Sequence, residues 1–96
     1  TNTNTSGTQD IMVWIRKNGV DIPGSAGHVT IASSHAGTPG ATIASWNYFV
    51  SVANNDYIEF WWHADSTAVQ LATYAASTSP VAPSAASVII TAQQVV

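Results

Sequence analysis

The stretch ATIASWNYFVSVANNDYIEFWWHAD, residues 41 to 65, decides the reading of this chain. It holds Trp46, Trp61 and Trp62 of the four tryptophans, both phenylalanines, and Tyr48 and Tyr57 of the three tyrosines. Two apolar runs flank the polar step Asn54-Asn55-Asp56. In the first, Ala44, Trp46, Tyr48, Val50 and Val52 alternate with Ile43, Ser45, Asn47, Phe49 and Ser51. In the second, Ile58, Phe60, Trp62 and Ala64 alternate with Tyr57, Glu59, Trp61 and His63. Period-two alternation, aromatic and β-branched residues and an Asn/Asp turn predict a β-hairpin. A helix would mix Ser45, Asn47 and Ser51 with the rings, and no cap residue starts one. The second run carries aromatics on both faces, which a strand with one solvated face avoids. One face therefore calls for a covering sheet, and the other for a neighbouring subunit or a ligand.

Outward from this hairpin, the rest of the chain has the same character. Ile11 to Arg16 alternates Ile11, Val13 and Ile15 against Met12, Trp14 and Arg16, and Lys17-Asn18-Gly19 ends it with the strongest short hairpin signal. Val20 to Ile22 reads as a short return strand stopped by Pro23-Gly24. His28 to Ala32 is a further strand, and Ser33 to Gly40 is a loop. Thr67 to Ala76 alternates with period two, and its alanines do not outweigh that pattern. Ser77 to Ala86 is a loop, and Ser87 to Val96 is the last strand. Thr1 to Gln9 is polar throughout. The count is about six or seven strands with no helix, the pattern of an all-β sandwich or barrel.

Composition narrows the function. The chain has 96 residues and no cysteine, so one small domain must hold together without disulfides or thiolate metal sites. Oligomerisation is the common remedy for so small a core. Only 7% of residues are charged, against about a quarter in ordinary soluble domains. Two basic residues, Arg16 and Lys17, and a net charge of −3 argue against nucleic acid and anionic membrane surfaces as partners. No apolar run approaches the roughly 20 residues that span a bilayer, and no signal peptide is evident. A surface rich in Ser, Thr, Asn and Gln suits packing against copies of itself or against carbohydrate.

Few residues suggest chemistry. His63 and Asp65 share a strand face and are weak metal candidates, which would need His28 or His35 close by. No metal is assigned on this signal. A nucleophile with an adjacent base is not evident, and Ser33-Ser34-His35 is a loop tripeptide. Asp56 and Glu59 are the one conceivable glycosidase pair, but Asp56 suits the turn and Glu59 a pairing with Lys17 or Arg16. A small hydrolase on Glu59, His63 and Asp65 is the remotest reading. Trp14, Trp46, Tyr48, Phe60 and Trp62 are assigned to core or subunit interface. Trp61 and Tyr57 are the candidates for a ligand platform, on which sugar rings could stack.

The segments VWIRKNGVDIPGS (13 to 25), GTPGATIASWNYFVSVANNDYIEFWWHADSTAVQLAT (37 to 73) and PSAASVIITAQQV (83 to 95) resemble a C-terminal module of tailed-phage structural proteins. Its signature runs W-[LI]-R-K-N-G-x-D-[IV]-P, then A-S-W-N, then a D-Y-[IV] strand ending near a Trp, then P-S-V-I-[ILV]-T-x-Q-Q-V. That module is similar to the C1q/tumour-necrosis-factor jelly roll. The resemblance implies a jelly-roll β-sandwich over residues 11 to 96, lacking its first strands, with residues 1 to 10 as an inter-strand loop or N-terminal extension. It implies a homotrimer on the virion surface, in contact with other virion proteins, displaying loops 24–27, 33–40 and 77–86 for host attachment or particle decoration. It implies no catalytic residue and no cofactor. The alternative is a carbohydrate-binding module using its surface aromatics on a host-surface glycan.

Overall fold

The strand β1, Gln9–Lys17, is the axis of the fold. Its inner alternate residues Ile11 and Ile15 are buried, and Ile15 is only 2% exposed. The computed structural model describes residues 1–95. Among them there is no helix, so none is long and apolar enough to cross a membrane. The chain is all-β, with antiparallel sheets consistent with a sandwich class.

Asn18 and Gly19 both adopt positive φ, 53° and 80°, which the two-residue turn requires. They return the chain into β2, Val20–Asp21, with Lys17 opposite Val20 and Arg16 opposite Asp21. The strand β3, Gly27–Ile31, then pairs with the other end of the same β1 edge, from Gln9 opposite Ile31 to Val13 opposite Gly27. Ile15 lies in the gap between these two pairings. Its amide donates to the buried Ser25 hydroxyl (3.3 Å), and that hydroxyl donates to the Ile22 carbonyl (2.8 Å). Ser25 thereby satisfies a backbone group that neither strand reaches.

The opposite edge of β1 is taken by β4, Ile58–Ala64, in a continuous register from Ile11 opposite Ala64 to Lys17 opposite Ile58. Among the described residues the far edge of β4 has no ladder partner. The predicted hairpin between 43–52 and 57–64 is therefore not formed. Its turn is present: the Asp56 amide donates to the Ala53 carbonyl (3.2 Å), the Asp56 carboxylate accepts from the Ala53 amide (2.8 Å), and Asn55 has φ of 68°. Alternation alone could not name a neighbour for the segment 43–52, which forms no strand. Trp46, Tyr48 and Val50 are half-buried while Ser45, Asn47, Phe49 and Ser51 are exposed, yet no ladder hydrogen bonds accompany the pattern.

Two other expected strands also lack ladders. Within 67–76, Val69 forms a single bridge with Asn2, and Tyr74 one with Ala85. Residues 87–95 form none, and Val96, the end of that expected strand, lies outside the described residues. The expected loop 77–86 instead holds a small hairpin, β5 (Ser77–Thr78) with β6 (Val81–Ala82).

The polar opening is stitched into the fold. The Asn2 amide donates to the Gly40 carbonyl (2.7 Å) and the Gly40 amide returns the bond (2.9 Å), while Thr3 donates to Ala68 and Gln70 to Thr1. The Asn2 side chain is 0% exposed. Its Nδ2 lies within 3.2–3.3 Å of the Gly7, Ile31 and Ala32 carbonyls, and its Oδ1 accepts from the Asn4 amide (2.9 Å). This segment and Val69 close over Ile11 and Ile31, with Val29 and Ala64 packed beside them.

The molecule is flat, 49 × 31 × 16 Å. Its radius of gyration is 16.2 Å, against about 13 Å for a compact domain of this length. It exposes 7321 Å², where a compact monomer of 10.0 kDa exposes about 5,200 Å².

Candidate functional site

The antiparallel register sorts the sheet into two faces, because directly opposed residues project to the same side. The inner face carries Ile11, Val13, Ile15, Val29, Phe60 and Trp62. The outer face carries Asp10, Met12, Trp14 and Arg16 from β1, with Thr30 and His28 from β3, Asp21 from β2, and Glu59, Trp61 and His63 from β4. The outer face is arranged in rows across the strands.

One row is Asp21, Arg16 and Glu59, and the next is Trp14 with Trp61. The Trp14 and Trp61 rings stack at 27° with centroids 6.2 Å apart. The Arg16 guanidinium sits 3.9 Å over the Trp61 ring, a cation–π contact. Asp21 ties the rows together, accepting from Arg16 Nε (2.6 Å) and from the Trp14 indole N–H (2.8 Å). These two bonds, Arg16 first, hold its carboxyl below the ordinary range. A cleft of about 360 Å³ opens beside them, lined by Met12, Trp14, Asp21 and the loop Ile22 to Ala26.

The following row is His28, Met12 and His63, with Met12 opposite both histidines. Beyond it Asp10 accepts from the Thr30 hydroxyl (2.6 Å), and its amide donates to Asp65 Oδ1 (3.1 Å). Asp10, Ile11, Met12, His28, His63 and Asp65 line a smaller cleft of about 180 Å³. The sequence had singled out His63 and Asp65. Of the two histidines expected as a third ligand, the structure brings His28 into that neighbourhood, adds Met12, and leaves His35 in its loop, where its backbone pairs with Thr38. Among the described residues, no three of His, Asp and Glu come together in a metal-holding group.

The aromatics divide by face. Trp46 lies over Gly27, where a β-carbon would come within 2.0 Å of its indole nitrogen, so glycine is what admits the ring. Tyr48 is half-buried, and its hydroxyl finds no hydrogen-bond partner among the described residues. Burial raises its pKa above the ordinary tyrosine value. Phe60 and Trp62 face inward on β4 yet remain 53% and 39% exposed. Trp61 and Tyr57 are exposed on the outer side, but they sit four residues apart, about 13 Å along an extended strand. Tyr57 instead belongs to the Asn18-Gly19 turn, where its amide donates to Asn18 Oδ1 (3.0 Å).

The groups considered for hydrolysis do not converge. Glu59, His63 and Asp65 occupy different rows, with Glu59 and His63 about 13 Å apart along the strand. Asp56 is committed to its turn, accepting from the Ala53 amide and from Asn18 Nδ2 (2.8 Å), with Lys17 Nζ at 3.5 Å. Those contacts, led by the Ala53 amide, lower its pKa, the opposite of what a general acid needs. Sequence reasoning missed Asn2, Met12 and the Arg16–Asp21–Trp14 network. Alternation put Met12, Trp14 and Arg16 on one face, but only the register shows what stands opposite them.

No family model, no curated protein and no solved structure matches the chain.

Proposed function

We propose that this chain is a non-enzymatic structural module of a tailed-phage virion, a jelly-roll sandwich that trimerises and presents loops 24–27, 33–40 and 77–86 for host attachment or particle decoration. The observation that carries the reading is surface. The chain exposes 7321 Å², about 2,100 Å² more than a compact monomer of its mass. In a three-fold ring each protomer makes two contacts of about 800 Å² apiece at standard interface size. That demand fits within the excess. The apolar side chains available to be covered include Phe60 and Trp62 on β4, Phe49, and Val88, Ile89 and Ile90. The low charge recorded in the sequence favours the same outcome, because interface centres are depleted of charge. The virion setting and the trimeric state rest on the segment resemblance at 13–25, 37–73 and 83–95.

Light scattering coupled to size exclusion tests the assembly, with three copies expected and a sharp single-copy peak overturning it. The double variant Phe60→Ser/Trp62→Ser is expected to shift the mass toward the monomer. Carbohydrate binding is separated by Trp61→Ala. Loss of glycan-array signal with the oligomer intact would favour the binding-module reading. The Trp61 ring already carries Arg16 on one face, which leaves less of it for a sugar.

A further inference from the structure

We propose that the outer-face row His28–Met12–His63 is a binding site for a soft monovalent metal ion, Cu(I), held by two imidazoles and one thioether. Met12 of β1 is directly opposite His28 of β3 on one side and His63 of β4 on the other. All three side chains therefore leave the sheet on the same face, with the thioether in the middle. They line one cleft of about 180 Å³ together with Asp10 and Asp65. The strand spacing of about 4.8 Å sets the two histidine backbones roughly 10 Å apart. An imidazole extends about 4–5 Å from its backbone, and a metal–nitrogen bond adds about 2 Å. Rings that lean toward β1 thus have the reach to meet at an ion above Met12.

The donor set selects the ion. A neutral thioether binds hard cations poorly and Cu(I) well, while imidazole suits copper and borderline ions such as Zn(II). The nearby carboxylates already hold other partners. Asp10 accepts from the Thr30 hydroxyl (2.6 Å) and Asp65 from the Asp10 amide (3.1 Å). They supply a negative field without completing a Zn(II) or Ca(II) ligand set, and no three of His, Asp and Glu among the described residues form one. No electron transfer is required of the ion. Trp14 and Trp61 form the next row on the same face, so occupancy has a local optical reporter.

The test is an anaerobic Cu(I) titration of the whole chain against a chromogenic chelator, with Ag(I) calorimetry as the redox-inert counterpart. One ion per chain is expected, with quenching of indole emission and an X-ray absorption shell of two nitrogens and one sulfur. Met12→Leu conserves volume, and His28→Asn changes an exposed side chain. Each of these, and His63→Asn, is expected to weaken Cu(I) at least tenfold with circular dichroism unchanged, while His35→Asn has no effect. Failure to compete with the chelator would overturn the proposal. So would affinity unchanged in Met12→Leu, or one ion per three chains, which would place the ion on a symmetry axis.

Discussion

The first five residues and the segment Ser87–Thr91 invert the usual relation between polarity and burial. TNTNT contains no apolar side chain, yet Asn2 is wholly enclosed. SVIIT is rich in branched aliphatics, yet Ile89 is 83% exposed. Asn2 is accommodated because its amide meets three carbonyls and an amide proton inside the fold, so enclosure leaves no polar group stranded. Val88, Ile89 and Ile90 have the hydrophobic drive, yet the described residues leave Ile89 largely bare and cover only about half of Val88 and Ile90. Partner geometry, more than side-chain type, decides what this small protein encloses.

The contrast can be broken most forcefully at Asn2. Asn2→Ala strips the donor from the Gly7, Ile31 and Ala32 carbonyls and is expected to cost about 3 kcal/mol, read as a lowered urea midpoint. Gly40→Ala attacks the same bridge from the other side. A β-carbon there would lie 1.8 Å from the Ala32 carbonyl oxygen, a rigid backbone atom, and the expected loss is about 2 kcal/mol. Ile89→Ser, in contrast, is expected to change the unfolding free energy of dilute monomer by no more than about 0.5 kcal/mol. Its effect is expected instead on the concentration-dependent association proposed above, measured by sedimentation. A large monomer effect at Ile89, or none at Asn2, would reverse the comparison.

The smallest expected effect is on pH. Asp56 and Asp21 have folded-state pKa values below the ordinary 3.8. A depressed carboxyl contributes stability that is present above its unfolded value and is lost as pH falls through the folded one. Stability should therefore decline below about pH 4, with Asp56→Asn flattening the decline. Both groups are solvent-accessible, so the change should be slight and should shrink further in salt.

Much of the central sheet was readable from residues alone. Alternation in Ile11–Arg16, the Asn18-Gly19 turn and the Tyr57–Ala64 run each reports a local constraint, and each is present. Pairing is a nonlocal property, and there the reading stopped. Ile43–Val52 has the same alternation as β4, but β1 presents a single edge on that side and β4 occupies it. The same limit hid the outer-face rows. Met12 is unremarkable in sequence until the register sets a histidine on either flank. Asn2 was invisible for a different reason, since a polar residue advertises burial only through bonds made at long range.

The unequal spacing of the partners of β1 sets an order of events in folding. The β1–β2 turn closes over two residues, Asn18 and Gly19, whereas β4 returns only after residues 18 to 57 have been traversed. Closing the longer segment costs roughly 2–3 kcal/mol more in chain entropy. The short hairpin should form within microseconds and β4 should zip on later. Phe60, Trp61 and Trp62 would then settle on the sheet after Trp14, which the short hairpin already ties to Asp21.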